Sequence, residues 1–381
     1  MYKRLLTFLR CPECGDTLEL VSLNPPSPAP DEEISEGLLS CSNKHWFPIV
    51  RGIPRMLPDA LEEHWGVIEA HIPDPAPQAL RSLLEERGRT ERGFKYDSRT
   101  RDNFAREWEH HELGGRTWGM ELQDRIKWFF LEPIRIPVAE LEGKVMLDAG
   151  CGNGSQSVAY TGFGLEVIAV DLSSGLEHGQ ALRGLYPGAK PSKVHFIQAD
   201  LQHPPLAPSS VDIIHSTGVL HHTPNTHQTF QALRPLLRPG GTFYVWLYKY
   251  ERWVTPIVNT MRTVTTRIPP AAFTRIAQVM SLPFIGFCAT VNALGIRSYP
   301  RLKRREAALA LMDIFGAPYA HYHSFKEVAD WYRAEGFDEV WDCNDGRRGF
   351  GACGRLAVAS PVENREALEQ PVLAIGQGGK I

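Results

Sequence analysis

The chain has 381 residues, 43% hydrophobic and 22% charged, the balance of ordinary folded domains, which excludes a disordered or fibrous chain. Forty-one lysines and arginines against 44 acids leave a net charge of −3, so there is no global positive field to hold nucleic acid. Seven cysteines in so long a chain are not a disulfide scaffold, and the apolar run Leu5–Leu9 is too short for a signal core; a reduced, cytoplasmic setting is expected.

The first block is 1–58. Cys11-Pro12-Glu13-Cys14 and Cys41-Ser42-Asn43-Lys44-His45 have the spacing of two ligand-bearing turns. Three thiolates and an imidazole suit a closed, tetrahedral zinc site of structural kind, so Cys11, Cys14, Cys41 and His45 are the expected metal ligands. So small a block has little core, and a metal staple answers that shortage. The segment resembles the small zinc-ribbon domain that accompanies several methyltransferases, through Leu9–Gly15 and His45–Pro54. Residues 24–37, rich in proline, serine and acid, read as an exposed loop inside it. Residues 59–95 read as a linker, and 96–143 as a helical lead-in or lid with Phe104 and Trp108 at helical spacing.

From 144 to 360 apolar, β-rich runs alternate with helical ones. Strands are expected at 144–150, 166–172, 194–200, 211–217 and 242–249, with helices near 155–161, 174–185 and 226–237. This alternation predicts an α/β fold with a parallel sheet and helices on both faces. Leu237-Arg238-Pro239-Gly240-Gly241 reads as a helix stop and turn. Residues 250–312 interrupt the pattern as a helical, apolar and basic insertion. Ser324-Phe325-Lys326-Glu327 is a capping box opening a helix that ends at Gly336, and strands 339–344 and 354–360 would complete the sheet. The segment 361–381 reads as a mobile tail.

The first strand ends in Asp148-Ala149-Gly150-Cys151-Gly152-Asn153-Gly154. Alternate glycines let the chain turn and bring backbone amides against a ligand. A carboxylate two residues before the first glycine would repel a pyrophosphate but welcome the ammonium of a methionine moiety. Asp171 ends the second strand, where an acid can accept both ribose hydroxyls, and Asp200 ends the third, where one can take an adenine amino proton.

These residues carry a family resemblance. Val145–Gly154, Val170–Ser173, Gln198–Leu201, Gly218–His222 and Leu237–Gly241 resemble class I S-adenosylmethionine-dependent methyltransferases, notably the branch of ubiquinone and menaquinone methylases. The resemblance implies a Rossmann-like, seven-stranded sheet whose last strand is antiparallel. It also implies a cofactor set of Asp148, Gly150, Cys151, Gly152, Asn153, Gly154, Asp171, Leu172, Asp200, Leu201 and Thr217.

Methyl transfer is an in-line displacement, so positioning can supply most of the rate and a base is needed only for an unactivated acceptor. His221, His222, Tyr248 and His321 are the catalytic candidates, with Tyr319, Tyr322 and His323 as further lining. Glu107 and Trp108 are placed to cover the cofactor. Ile276–Ile296 is a 21-residue run without a charge, flanked by Arg275 and by the basic 297–305 stretch. Pro283, Gly286 and Gly295 argue against a membrane span and for an apolar lid, with peripheral contact to the inner membrane face through 276–305 as an added expectation. The expected acceptor is a small or lipid-like molecule. A ribosomal-RNA base is the alternative, disfavoured by net charge and the apolar insertion, and a non-catalytic cofactor-binding activator is the third reading.

Overall fold

The computed structural model describes residues 1–23, 33–73, 80, 83, 96–109, 115–296, 299–343 and 349–358. The tail read at 361–381 and most of the linker's second half lie outside them. Two sheets organise the described residues.

The N-terminal sheet is antiparallel, in the order β1 (Glu19–Ser22), β2 (Gly37–Ser40), β3 (Trp46–Val50), β4 (Ile53–Pro54). It is not a separate bead. Leu5, Leu9, Phe47, Ile49 and Met56 are buried in one continuous core with Leu147, Ile168 and Ile197 of the larger sheet. The segment after β4 runs beside the edge strand of that sheet, with Met56 N–H donating to the Gln198 carbonyl at 2.7 Å. An exposed edge is thereby covered rather than left to pair with another chain. Buried Arg55 reaches Gln198 Oε1 (3.0 Å) and Glu177 Oε1 (2.6 Å), so its charge is met by a carboxylate. Arg4 Nη2 meets Glu166 Oε2 at 2.6 Å. Part of the expected linker is also packed: Trp65, Ile68, Leu80 and Leu83 bury against Leu38 and Val50, because their apolar faces find the outer side of the small sheet.

The large sheet has seven strands: β5 (Val145–Ala149), β6 (Glu166–Asp171), β7 (Val194–Gln198), β8 (Val211–Thr217), β9 (Leu237–Tyr248), β10 (Phe337–Cys343) and β11 (Gly349–Leu356). Their order is β10-β11-β9-β8-β5-β6-β7. β5 to β9 pair in parallel, and β11 inserts antiparallel between β9 and β10, as the resemblance implies. The central strands are mainly apolar because helices cover both faces; β5, β6 and β7 are buried throughout.

Helices α1 (Ser98–Glu109), α2 (Ser155–Tyr160), α3 (Leu176–Leu182), α4 (Thr226–Leu233) and α8 (Phe325–Ala334) follow the expected order, and α8 carries the Ser324/Glu327 capping box. One expectation fails locally. The Arg-Pro-Gly-Gly run is not a turn ahead of the strand: α4 ends at Leu233, a 3-10 turn follows, and β9 already begins at Leu237. β8 pairs with Leu237 and next with Thr242, so Arg238–Gly241 bulge out of the ladder at the register shift between Val211 and Ile213, with Gly240 at φ +78°. The insertion forms α5 (Thr255–Thr265), α6 (Pro270–Ala293) and α7 (Arg304–Phe315), which runs past the expected boundary at 312. After it the chain returns beside the end of β9, where His323 N–H donates to the Tyr248 carbonyl at 2.9 Å.

Candidate active site

β5 is flanked by β6 on one side and β8 on the other, so the chain reverses direction across the sheet at its C-terminal end. That is where an open α/β sheet leaves a crevice. A cavity of about 870 Å³ opens there.

The cofactor half is made from three strand ends. Asp171 Oδ2 accepts the Gly152 N–H at 2.8 Å, while Oδ1 accepts the Ser173 N–H (2.8 Å) and Oγ–H (2.7 Å). The second strand's acid therefore clamps the glycine loop. Burial pushes its carboxyl up, and these hydrogen bonds oppose the push. Asp148 accepts from Ser157 Oγ at 2.6 Å and faces His215 Nδ1 at 3.4 Å. Asp200 Oδ1 accepts from the Gln202 N–H at 2.9 Å.

The glycines are required by close approach. A Cβ on Gly150 would stand 2.3 Å from Val219, and one on Gly152 2.5 Å from the Trp108 indole; both have positive φ. Trp108 thus lies across the glycine loop, as part of the lead-in helix α1. Asp148, Gly150, Cys151, Asn153, Asp171, Leu172, Asp200, Leu201 and Thr217 all line the cavity, while Gly152 and Gly154 shape the loop behind it. Six carboxyl groups line the space (Asp97, Glu107, Asp148, Asp171, Asp200, Asp313) against Arg125 and Arg301. Such a wall suits a cationic ligand bearing a sulfonium and an ammonium, not a pyrophosphate.

The acceptor half comes from elements far apart in sequence. α1 supplies Phe104 and Glu107, the loop after β8 supplies His221 and His222, β9 supplies Trp246 and Tyr248, and the insertion supplies Phe284, Tyr299, Leu302 and Asp313. Gly119 N–H donates to Glu306 Oε1 (2.8 Å) and Arg116 Nη2 to the Arg301 carbonyl (2.8 Å), which pins the 115–120 loop under the insertion.

The four catalytic candidates separate here. His221 is buried, stacks on Tyr248 (centroids 3.9 Å apart), and leaves both ring nitrogens without a partner. Burial holds it neutral, far below the usual imidazole range, with the His222 charge adding to the effect. His222 Nδ1–H donates to the Tyr319 carbonyl at 2.7 Å, and its Nε2 stands 3.1 Å from Asp313 Oδ1. Tyr248 donates its hydroxyl to Asp313 Oδ2. His321 does not line the cavity. Its Nε2 meets the Thr223 carbonyl at 3.1 Å and its N–H donates to the His221 carbonyl at 2.9 Å, so it holds the loop that carries the other two. Tyr319 and Tyr322 likewise stay out of the lining.

Three residues outside the catalytic candidates stand out. Glu107 is buried with Oε2 unpartnered, and burial, reinforced by Asp313 and then Asp171, pushes its carboxyl well above the usual range. Asp313, at the far end of the insertion, lies on no motif and no sequence signal marks it. His215, stacked on Tyr244 and bonded by Nε2 to the Phe129 carbonyl (3.1 Å), fixes the wall behind Asp148. It sits inside an apolar strand, where a lone histidine reads as core.

In the small sheet, Cys11 Sγ and Cys41 Sγ each lie 3.4 Å from His45 Nδ1, and Cys14 Sγ lies 3.7 Å from Cys41 Sγ. All four ligand atoms fall within 4.8 Å of one another. Tetrahedral zinc with Zn–S of ~2.3 Å sets sulfurs ~3.8 Å apart, so the group is compatible with zinc.

Residues 147–245 match the family model described as a methyltransferase domain. The chain carries a class I methyltransferase domain. A tRNA U34 carboxymethyltransferase of Chromohalobacter salexigens is 33% identical over 133 residues, covering 34% of this chain and 39% of that protein. A ubiquinone biosynthesis O-methyltransferase of Cupriavidus pinatubonensis is 33% identical over 122 residues, covering 30% and 47%. A malonyl-[acyl-carrier protein] O-methyltransferase of Enterobacter lignolyticus is 34% identical over 96 residues, covering 25% and 36%. The matches thus span less than half of each relative. Among solved structures, phosphoethanolamine N-methyltransferase 2 of Haemonchus contortus, in complex with S-adenosyl-L-methionine, is 16% identical, covers 70% of this chain and 46% of that one, and has a TM-score of 0.40. The methyltransferase domain therefore ends its match on β9, before the insertion that completes the acceptor half.

Proposed function

We propose that the protein transfers a methyl group from S-adenosylmethionine to a small molecule with an apolar body, held in the covered cavity. The observation that carries this reading is the junction of the two halves: a methyltransferase glycine loop opens into the same 870 Å³ space that α1 and the insertion roof over. Asp171, Asp148 and Asp200, with the loop 150–154, are the residues to hold the cofactor. Bound there, S-adenosylmethionine would supply an electrophilic methyl group on a sulfonium.

The chain's own residues do the rest. Phe104, Trp108, Trp118, Phe129, Trp246 and Phe284 exclude water and grip an apolar acceptor. His222 Nδ1 donates to a carbonyl, its Nε2 stands 3.1 Å from Asp313 Oδ1, and Tyr248 donates its hydroxyl to the same carboxyl group. Glu107, kept protonated, donates a hydrogen bond instead of adding a charge. Neutral His221 can accept one from an acceptor hydroxyl or carboxyl. The relatives for ubiquinone biosynthesis and malonyl-[acyl-carrier protein] are O-methyltransferases by name, which supports an oxygen acceptor.

The test has two parts. Calorimetry with S-adenosylhomocysteine should give binding that Asp171→Ala weakens by about a hundredfold. Protein incubated with methyl-labelled S-adenosylmethionine and a total host extract should place label in the organic-solvent phase. Label in the RNA fraction would overturn the acceptor, and no cofactor binding would overturn the whole reading.

A further inference from the structure

The exposed apolar side chains are concentrated in one place. Thirteen of the eighteen large apolar residues widely exposed among the described residues lie in 250–296, the region of α5 and α6. On α6, Ile276, Val279, Met280, Pro283 and Phe287 are exposed and recur at intervals of 3, 4, 7 and 11 from the first, which makes one helical stripe. The opposite face, with Phe273, Thr274, Ala277, Ser281 and Cys288, is buried. On α5, Val254, Ile257, Met261 and Val264 form a second exposed stripe, with Trp253 before it 76% exposed. A folded domain does not leave this much aligned apolar surface in water without a use for it.

The charge of the same segment is equally uneven. Between Glu251 and Glu306 there are nine lysines and arginines and no acid, in a chain whose net charge is −3. Arg252, Arg267, Arg275 and Arg304 are exposed around the stripes. Apolar stripes on a segment whose own charges from 252 to 305 are all cationic match an anionic lipid surface: acyl chains take the stripe and headgroup phosphates take the cations. RNA would meet the cations but find no use for exposed isoleucine, valine and methionine.

α6 is long and apolar enough to cross a bilayer, with 24 residues. It cannot do so in this fold. Its buried face packs on α7 and α1, and Phe284 and the residues after α6 line the cavity. Pulling it through a membrane would dismantle the cavity's roof.

We infer that α5 and α6 form an interfacial platform that lies in the plane of an anionic membrane, with the cavity roof at the lipid surface. The platform stands independently of the acceptor's identity. It also gives an apolar acceptor a route from the bilayer to the cavity through Phe284, Tyr299 and Leu302.

The full-length protein is mixed with vesicles of equal parts phosphatidylglycerol and phosphatidylcholine, and separately with pure phosphatidylcholine, and floated on a density gradient. Expected is flotation with the anionic vesicles that weakens as salt rises, together with a blue shift of tryptophan emission that Trp253→Phe diminishes. Arg267→Glu with Arg275→Glu should weaken binding about tenfold or more. Ile257→Glu, Val264→Glu and Val279→Glu together should abolish it while leaving S-adenosylhomocysteine binding unchanged, since none touches the cavity. Absence of flotation, or flotation unaffected by salt and by both sets of changes, overturns the proposal. So does sedimentation velocity showing that the stripes hold two copies together, or a preference for RNA over vesicles in direct competition. Failure of cofactor binding would strike the methyl-transfer reading and leave the flotation result standing.

Discussion

The two halves of the cavity are built on different principles. The cofactor half draws on 148–201 and Thr217: its carboxylates stand at the ends of neighbouring strands, and its polar groups are already bonded to one another, as in the Asp171 clamp on Gly152 and Ser173. The acceptor half gathers side chains from residue 97 to residue 313 and leaves His221 and Glu107 buried without partners. A half whose bonds are closed is ready for one invariant ligand, whereas a half with orphaned polar groups is completed by whatever it binds. The difference separates the part of the protein that names its chemistry from the part that chooses its substrate.

The largest expected effect lies behind the cofactor half. The zinc-ribbon sheet touches it through Arg55, Gln198 and the Leu172 carbonyl, which accepts from Gln198 Nε2 at 3.1 Å. Removal of metal by a strong chelator, or Cys41→Ser, should unfold the small sheet and lower the melting temperature by about 10 °C or more in calorimetry. Cofactor affinity should fall with it. An unchanged melting curve would make the ribbon an ornament on a self-sufficient domain.

Next in size, Asp171→Ala should weaken S-adenosylhomocysteine binding by about a hundredfold, ~2.7 kcal/mol, because a carboxylate that organises the loop is lost. Asp313→Asn should do the reverse: binding within about twofold of the parent, but turnover lower by about a hundredfold once the acceptor is in hand. If both variants lost the two properties together, the division into halves would fail.

Glu107→Gln should give a smaller effect, and its sign is set by burial. A carboxyl whose folded pKa is raised makes the folded state hold its proton, so this group's contribution to stability declines as pH rises above the unfolded carboxylate range. The amide lacks that decline. The variant should therefore melt at or above the parent temperature at pH 8 and together with it near pH 4.

Glu166 should give the smallest effect at neutral pH and the opposite sign in acid. Burial alone would raise its carboxyl, but His195 and Arg4 outweigh it and hold it at about 2. A depressed acid stabilises fully above the unfolded range and loses its contribution as pH falls toward 2. Acid titration of Arg4→Ala, followed by melting temperature, should therefore show a shallower loss than the parent over that window.

Much of the fold is legible in the chain. Mainly apolar runs at 145–149, 166–171 and 194–198 become the buried parallel strands, because helices on both faces leave no regular polar alternation to read. The metal group is equally legible, since C-x2-C and C-x3-H are local turns whose spacing fixes ligand separation. The Pro-Gly-Gly run reads as a turn ahead of the strand, but the strand already starts at Leu237 and the run becomes a bulge within it, unpaired with β8. His321 misleads for a related reason: its nearness to the site is real, but its bonds go to backbone carbonyls. Asp313 is silent, an ordinary acid on an ordinary helix until the insertion folds it toward His222.

The sequence by itself determined the glycine loop, the three strand-end acids and the Cys3His group. Each is a short-range pattern in which backbone geometry and ligand chemistry are written within a few residues. Only the tertiary structure decided which histidine is left unpartnered, that Glu107 is buried beside Asp313, and that the insertion roofs the cavity on one side and bares its apolar stripes on the other. Those facts depend on packing between segments hundreds of residues apart, and burial and electrostatic coupling exist only once the segments have met.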